Sequence, residues 1–247
     1  MQTLEIKLRA GLAELELVLS DAQVAALLSY MALIQKWTKV YNLTAVRDPD
    51  DMLTHHLLDS LAVIVPLRRH LSQSETKLSA TDSSVCIASE PHLTRQVVPH
   101  ADVAHISPRL LDVGSGAGLP GVVIAVCCPD IRVDCVDTVG KKAAFIQQAA
   151  VTLRLPNLRG VHARVENLTD KYQVISSRAF ASLPDFTNWS CQALAEQGVW
   201  MAMKGKHPAD EITALPSGVE VFHVEQLMVP GLEAERCIVW MRPSVAG

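Results

Sequence analysis

The sequence has 247 residues, of which 49% are hydrophobic and 19% are charged, and its formal net charge is −4. This apolar content is enough to fill a globular core, so a generally disordered chain is excluded. The slightly acidic balance lacks the basic excess of a typical nucleic-acid-binding protein, and any contact with RNA therefore needs a locally basic face.

Signals for secretion, membrane insertion and zinc binding are missing from the sequence. None of the six cysteines forms a C-x-x-C pair, so we expect no zinc site. The N-terminus lacks the basic-then-apolar pattern of a secretory signal, and no apolar run reaches the roughly 18 residues needed to cross a membrane. We therefore expect a soluble, cytoplasmic protein without a membrane partner, and we expect it to be a monomer.

Residues 1–71 have the periodicity of helices. Ser20-Asp21-Ala22-Gln23 has the S-x-x-Q form of a capping box, and apolar residues then recur at three- and four-residue spacing, as on one helix face. Asp48-Pro49-Asp50-Asp51 predicts the start of another helix, with proline at the first position and acids near the positive end of the helix dipole. The apolar face of the first of these helices comprises Val24, Leu27, Leu28, Met31 and Ile34.

Two segments of different character follow the helices. From 72 to 107, ten of 36 residues are Ser or Thr and no periodicity persists, so we interpret this stretch as a flexible insertion. From 108 to 247, strand patterns alternate with helix patterns, which favours an α/β fold with a parallel sheet covered on both faces. We predict a doubly wound, mostly parallel sheet of seven strands with an antiparallel edge, preceded by the N-terminal helical extension. The predicted strands are 110–113, 131–136, 158–163, 172–176, 199–203, 219–228 and 236–240, and a helix is predicted for 183–196.

A glycine-rich turn joins the first predicted strand to the next helix. It contains Gly114, Ser115, Gly116 and Gly118. Glycine there allows a positive φ and the close approach of a ligand. Asp112 precedes the turn by two residues, where a loop that holds the methionine end of S-adenosylmethionine typically has an acid. Asp137 ends the second strand, where a carboxylate can accept both ribose hydroxyls of an adenosine.

The same turn allows a second interpretation. It also matches G-x-G-x-x-G through Gly116, Gly118 and Gly121, which keeps a dinucleotide-dependent oxidoreductase as an alternative. Asp137 suits NAD as well and does not discriminate, whereas Asp112 favours S-adenosylmethionine. In that interpretation the adenine lies near Arg164-Val165-Glu166, after the third strand.

Several segments along the chain together carry the pattern of one family. They are Tyr41-Asn42-Leu43-Thr44, His56-Leu57-Leu58-Asp59-Ser60-Leu61, the glycine turn from Leu111 to Gly121, Arg164-Val165-Glu166, Ser177-Arg178-Ala179 and Lys204-Gly205. In this order they resemble RsmG, the family of 16S ribosomal RNA guanine-N7 methyltransferases that is also called glucose-inhibited division protein B. The glycine turn alone is shared with many methyltransferases, whereas three segments together are far more specific: Asn42-Leu43-Thr44, the segment from His56 to Leu61, and Ser177-Arg178-Ala179.

The resemblance implies a bacterial, cytoplasmic enzyme with a Rossmann-like class I methyltransferase fold and S-adenosyl-L-methionine as cofactor. Its partner would be 16S ribosomal RNA or a small ribosomal subunit particle. The position of Leu119 is often Phe in this family, a change that keeps an apolar wall, and the stretch 72–107 is longer than the family's usual connection. The resemblance places the cofactor around Gly114, Leu119, Val165, Glu166 and Arg178.

Methylation at guanine N7 fits what the sequence contains. N7 carries a free lone pair, so the reaction needs no base and depends mainly on the placement of the two reactants. Residues 141–178 contain seven basic and two acidic side chains, which can meet phosphates, although a solvated helix face is the alternative for the helical ones. The candidate catalytic residues are Arg164, Arg178 and Lys204, which follow strands and can bind RNA phosphate or orient the guanine.

Histidines and aromatic residues of the helical region have other interpretations. His55 and His56 are adjacent and therefore point in different directions on a helix, so we expect no metal site. The i, i+3 spacing of His56 and Asp59 predicts a hydrogen bond on the helix surface. Trp37 and Tyr41 lie on the apolar stripe and are predicted to be core residues, with stacking on an RNA base as the alternative.

Three hypotheses of function remain open. The first is the ribosomal RNA guanine-N7 methyltransferase, and the second is a methyltransferase that acts on a small molecule or a protein. The third is a nucleotide-binding oxidoreductase or non-enzymatic protein that uses the G-x-G-x-x-G match. The identity of the bound ligand separates the third from the others, and methyl transfer to small-subunit RNA separates the first from the second.

Overall fold

The computed structural model describes residues 2–82 and 107–244. The N-terminal part is helical, as predicted. Its segments are α1 (Gln2–Glu14), α2 (Asp21–Tyr41), α3 (Pro49–Met52), a π-helical turn (Leu53–Leu58), α4 (Asp59–Leu61) and α5 (Ile64–Asp82). Within the described ranges, no helix is both long and apolar enough to cross a membrane.

Side-chain caps start two of these helices where the sequence predicts them. The Ser20 hydroxyl accepts the Gln23 N–H at 3.3 Å, and the Gln23 side-chain oxygen accepts the Ser20 N–H at 3.0 Å, so the capping box is confirmed. Asp48 accepts the N–H groups of Asp50 and Asp51 at 2.9 and 3.1 Å and begins α3. Each cap satisfies backbone donors that a helix start otherwise leaves unpaired.

Seven strands form one sheet in the order β3-β2-β1-β4-β5-β7-β6. Strands β1 to β5 are parallel, and β7 runs antiparallel to both β5 and β6. The strands are β1 (Arg109–Val113), β2 (Arg132–Asp137), β3 (Leu158–His162), β4 (Tyr172–Arg178), β5 (Leu194–Lys204), β6 (Val219–Leu227) and β7 (Arg236–Pro243). The later helices are α6 (Gly121–Cys127), α7 (Gly140–Thr152), α8 (Leu183–Ser190) and α9 (Ala209–Thr213). The predicted doubly wound, mostly parallel sheet is confirmed.

The strand order reverses at β1, which lies between β2 and β4. The crossovers on the two sides of this point go in opposite directions, so a crevice opens at the carboxyl ends of β1 and β4. In open α/β sheets, ligands bind in this crevice. The fold therefore places the glycine turn after β1 beside the residues that follow β4.

Two predicted boundaries differ from the structure. Helix α5 continues to Asp82, although the insertion is predicted to begin at 72, because residues 72–82 contain neither proline nor glycine to end the helix. The remaining residues of that stretch, 83–106, lie outside the described residues. The helix predicted for 183–196 is too long, because α8 ends at Ser190 and the chain reverses so that Leu194 pairs with β4.

Apolar side chains cover both faces of the sheet. On one face, α2, α6 and α7 pack together with the π-helical turn, and on the other face, Leu183 and Phe186 of α8 pack with Trp200 of β5. Trp37 packs against Phe145 of α7 with ring centroids 5.3 Å apart, which confirms its predicted core position. The same prediction is wrong for Tyr41, which ends α2 and is 40% exposed.

Tyr30 of α2 joins the helical extension to the glycine turn. Its buried hydroxyl donates a hydrogen bond of 2.6 Å to the carbonyl oxygen of Ala117. Burial raises the pKa of Tyr30 well above its ordinary value, so the hydroxyl keeps the proton that it donates. The position of the turn thus depends on a residue more than eighty positions earlier in the chain.

We expect Tyr30→Phe to lower the free energy of unfolding, because it leaves the buried Ala117 carbonyl without its donor. A buried polar group left unpaired costs about 1–3 kcal/mol. Tyr41→Phe is the matched control, because Tyr41 is exposed and should change stability little. Urea denaturation of both variants tests this, and equal stabilities of the two would contradict a role of the Tyr30 hydroxyl.

Candidate active site

The glycine turn after β1 has the backbone geometry that the sequence predicts. Gly114, Gly116 and Gly118 have φ values of +65°, +59° and +88°, a region that side chains with a Cβ disfavour. The turn is held to β2, because the Val136 carbonyl accepts the N–H of Gly114 at 3.0 Å. A Cβ on Gly116 would meet nothing closer than 3.9 Å, so open space lies above the middle of the turn.

Asp112 lies beneath the turn and does not line the crevice. Its carboxylate is fully buried, with one oxygen accepting the Gly121 N–H and the other accepting the Ser176 hydroxyl, each at 3.1 Å. Burial raises the pKa of Asp112 to about 7. The expected direct contact of this side chain with a ligand is therefore replaced by a structural role, which fixes the start of α6 to β1 and β4.

Asp137 at the end of β2 faces the turn from the other side. Its two oxygens accept the N–H of Val139 at 2.8 Å and the N–H of Gly116 at 3.1 Å. Lys142 Nζ lies 3.6 Å from the same carboxylate. These contacts fix the carboxylate at the carboxyl end of the sheet.

A cleft of about 390 Å³ opens between these elements. Its wall after β3 contains Arg164, Val165 and Glu166, as predicted for the adenine side. The predicted cofactor residues outside the lining of this cleft are Asp112, Ser115, Gly116, Gly118, Leu119 and Arg178. Ser115 and Leu119 are buried, and Gly118 packs against Val122. The lining residues are Val113, Gly114, Val136, Asp137, Thr138, Val139, Lys142, Ala163, Arg164, Val165, Glu166, Ala179, Phe180 and Trp189.

Two aromatic residues of the cleft were not identified from the sequence, Phe180 in the turn after β4 and Trp189 in α8. Phe180 lies against Gly114, where an added Cβ would come within 2.2 Å of the ring. Its ring is 5.9 Å from that of Trp189, edge to face. Phe180 stands between Ala179 and Ala181, whose φ values of 52° and 47° are rare for residues other than glycine, asparagine and aspartate. The position of Phe180, two residues after a strand of the predicted parallel sheet, was the signal in the sequence that could have identified it.

Arg178 at the end of β4 binds the helical extension. Its Nη1 donates to the Asp59 carboxylate at 2.9 Å and to the His55 carbonyl at 3.0 Å. The predicted bond between His56 and Asp59 is wrong, because His56 Nε2 lies 2.6 Å from the Thr44 hydroxyl instead. Burial and the nearby Arg178 charge lower the pKa of His56, so this imidazole is neutral at neutral pH.

The other two predicted catalytic residues differ in their surroundings. Arg164 is exposed at the rim of the cleft. Lys204 is largely buried, and its Nζ donates to both oxygens of Glu211 at 2.7 and 3.0 Å and to the Ala181 carbonyl at 3.2 Å. Lys204 therefore supports the turn that carries Phe180, while Arg164 is available to a ligand.

The basic side chains of residues 141–178 do not form one continuous surface. Arg159 donates to Asp134 at 2.6 and 2.9 Å and to Asp170 at 3.2 Å, away from the carboxyl edge of the sheet. Lys171 donates to the Gln192 carbonyl. Neither cation belongs to the cleft, so the local excess of charge in the sequence overstates the basic face there. Within the described ranges, no group of His, Cys, Asp and Glu side chains is arranged to hold a metal ion.

Comparison with known proteins identifies the family. A family model described as rRNA small subunit methyltransferase G matches residues 23–75 and 87–239. The chain belongs to this family. The match leaves out residues 76–86 and includes the rest of the stretch 72–107.

Curated relatives match over nearly their whole length. The Ribosomal RNA small subunit methyltransferase G of Albidiferax ferrireducens is 63% identical over 244 residues, covering 99% of this chain and 99% of the relative. The protein of the same name from Polaromonas sp. is 62% identical over 238 residues, covering 96% and 93%. Among solved structures, TrmN from Thermus thermophilus is similar with a TM-score of 0.47 and 19% identity, covering 56% of this chain and 44% of that chain.

The protein is thus an S-adenosylmethionine-dependent methyltransferase with a class I, Rossmann-like fold. The residues of the cleft fit this cofactor. The open space above Gly116 can take the methionine end, fixed Asp137 can accept ribose hydroxyls, and apolar Val165 can contact the adenine face. Phe180 borders the turn at Gly114 and lines the cleft.

We expect Gly116→Asp to abolish cofactor binding, because the new carboxylate would fill the space above the turn and repel Asp137 nearby. A loss of about 100-fold or more in affinity corresponds to roughly 3 kcal/mol. Isothermal titration with S-adenosylmethionine measures it. Gly218→Asp is the matched control, since its added atoms meet nothing within 4 Å and lie outside the cleft. Unchanged affinity in a folded Gly116→Asp protein would contradict the assignment of the turn.

The buried Asp112 predicts a pH dependence of stability. Its pKa of about 7 in the folded protein lies above the ordinary value of 3.8, so the folded state binds more protons than the unfolded state between these values. The contribution of Asp112 to the free energy of unfolding therefore falls as pH rises from about 4 to about 7. Asp112→Asn removes the titration.

We compare the free energy of unfolding of Asp112→Asn with that of the protein without the substitution. The variant should gain on the order of 2 kcal/mol in this comparison between pH 5 and pH 8, since one pKa unit is worth about 1.4 kcal/mol. Urea denaturation at both pH values measures this difference. The same pH dependence in both proteins would show that Asp112 is ionised throughout the range.

Proposed function

We propose that this protein transfers the methyl group of S-adenosylmethionine to N7 of a guanine in 16S ribosomal RNA. The observation that carries the RNA substrate is the identity of 63% over 99% of both chains with a protein named Ribosomal RNA small subunit methyltransferase G. An RNA substrate of this kind also supports a cytoplasmic location. The choice of N7 is supported by the family resemblance.

The chemistry requires placement more than proton transfer. Bound S-adenosylmethionine supplies an electrophilic methyl carbon on a sulfonium. The N7 lone pair forms the new C–N bond as the C–S bond breaks, so no proton has to leave the base. The protein therefore has to align N7 with the methyl carbon and the sulfur, and such alignment is a large source of rate acceleration.

Named residues divide this work between the two reactants. We assign the cofactor to the backbone of Gly114, Ser115 and Gly116, to Asp137, and to Val165 and Glu166 of the turn after β3. Asp112, Gly118 and Leu119 hold the turn from beneath. Arg178 ends β4 directly before the cleft residues Ala179 and Phe180, and we propose that it lies between the cofactor and the substrate.

Two cations are proposed to act on the substrate side in different ways. Arg164 is exposed at the rim and is suited to an RNA phosphate, because a guanidinium presents several donors in a fixed plane. Lys204 is engaged with Glu211 and with the Ala181 carbonyl. We therefore assign Lys204 to positioning the Phe180 turn and not to direct contact with the guanine.

The decisive experiment is methyl transfer from labelled S-adenosylmethionine to small-subunit RNA that lacks modifications, offered both as free RNA and as assembled particles. Chemical cleavage at N7-methylguanine then maps the product. We expect a single methylated guanine in either the free RNA or the assembled particles. The Gly116→Asp variant, which is expected not to bind the cofactor, is the negative control.

Other outcomes would point to different functions. Methyl transfer to another atom of the RNA would contradict N7 and keep the RNA substrate. If neither RNA nor particles accept a methyl group while the cofactor binds, a methyltransferase of small molecules or proteins replaces the proposal.

A further inference from the structure

One buried carboxylate holds two arginines at the substrate edge of the sheet. Asp59 of α4 is 3% exposed, and its two oxygens each accept a different guanidinium. Arg178 Nη1 donates at 2.9 Å, and Arg236 Nε donates at 2.8 Å. The cluster contains two positive charges and one negative charge, so it has a net charge of +1.

The two guanidiniums keep donors for a further partner. Besides Asp59, the His55 carbonyl accepts from Arg178 Nη1 at 3.0 Å and the Glu235 carbonyl accepts from Arg236 Nη1 at 2.8 Å. Nη2 of either arginine has no hydrogen-bond partner in the part of the chain that the structure describes. The side chains of Arg178 and Arg236 are 20% and 23% exposed, so solvent still reaches both.

The fold brings these residues to the edge where the substrate must arrive. Arg178 ends β4, and the next two residues line the cofactor cleft. Arg236 begins β7, which runs antiparallel to β5, so Cys237 pairs with Lys204 at the carboxyl end of β5. Arg236 therefore lies on the far side of Arg178 from the glycine turn, outside the cofactor cleft.

We propose that Arg236 binds a backbone phosphate of the RNA substrate next to the target nucleotide, oriented by Asp59, which also positions Arg178 beside the cofactor. The inference rests on the proposed RNA substrate. A guanidinium offers parallel N–H donors to two phosphate oxygens, and charge-assisted bonds of this type are strong. Because Asp59 holds Arg236 through Nε, the remaining Nη2 group has a fixed direction.

An ion pair that only joins α4 to the sheet is the alternative explanation, and substitution can distinguish the two. Arg242 lies near the other end of the same strand and pairs with exposed Glu220. Arg236→Gln and Arg242→Gln thus remove the same charge from one strand at opposite edges of the sheet. The phosphate site predicts an effect on RNA for the first substitution only.

The experiment measures the KM for small-subunit RNA at several KCl concentrations, the affinity for S-adenosylmethionine by calorimetry, and the melting temperature. We expect Arg236→Gln to raise the KM for RNA about tenfold and to reduce the salt slope by about one, as for the loss of one phosphate contact. Its cofactor affinity should stay within about twofold, and Arg242→Gln should match the unmodified enzyme. A folded Arg236→Gln protein with unchanged KM and salt slope would overturn the inference.

A second variant covers the case in which Arg236→Gln does not fold. Arg236→Lys preserves the charge beside Asp59, but one ammonium cannot replace the planar donors that face both Asp59 and a phosphate. Its KM for RNA should rise several-fold at an unchanged melting temperature, whereas full rescue would show a purely structural ion pair. If the enzyme without substitutions transfers no methyl group to RNA, the proposed function itself fails. If that enzyme is active but its KM for RNA does not change with substitution of Arg236, only the phosphate site fails.

Discussion

The buried carboxylate of Asp112 is the constraint on which the cleft depends. It lies where β1, the first turn of α6 and β4 meet, and it accepts one hydrogen bond from Gly121 and one from Ser176. The glycine turn is therefore fixed at its end as well as at its start on Val136. A turn with three residues at positive φ is fixed in this way, and the N–H groups of Gly114 and Gly116 are already bonded to Val136 and Asp137. Such preorganisation matters most for a reaction that depends on the alignment of its two reactants.

The helical extension completes the site from the opposite direction. Tyr30 contacts the glycine turn, and Asp59 contacts the ends of β4 and β7, so both halves of the crevice are tied to helices that precede the sheet in sequence. The cofactor edge and the proposed phosphate site share the Asp59 carboxylate. In the proposal, the phosphate contact of Arg236 and the position of Arg178 both depend on this one carboxylate.

The order of strands and helices, the caps of α2 and α3 and the geometry of the glycine turn follow from local patterns, and these were predictable from the sequence. The contacts of Asp59 with Arg178 and Arg236 join residues 119 and 177 positions apart, and no periodicity reports such a distance. Asp112 shows a related limit, because a short motif identifies an acid beside a turn but not the direction of its side chain. The charge of Arg159 was counted toward a basic face, although strand register places it beside Asp134, where it is neutralised.

The backbone around Phe180 restricts how this enzyme can diverge. Ala179 and Ala181 both occupy the left-handed region, which β-branched residues essentially never adopt and which glycine and asparagine adopt readily. Substitution at these two sites is therefore confined to a small set of residues, whereas a substitution at position 180 changes the ring that contacts Gly114 and Trp189. In a library that aims at a new methyl acceptor, position 180 is the site to randomise, and its two neighbours are best kept as alanine or changed to glycine.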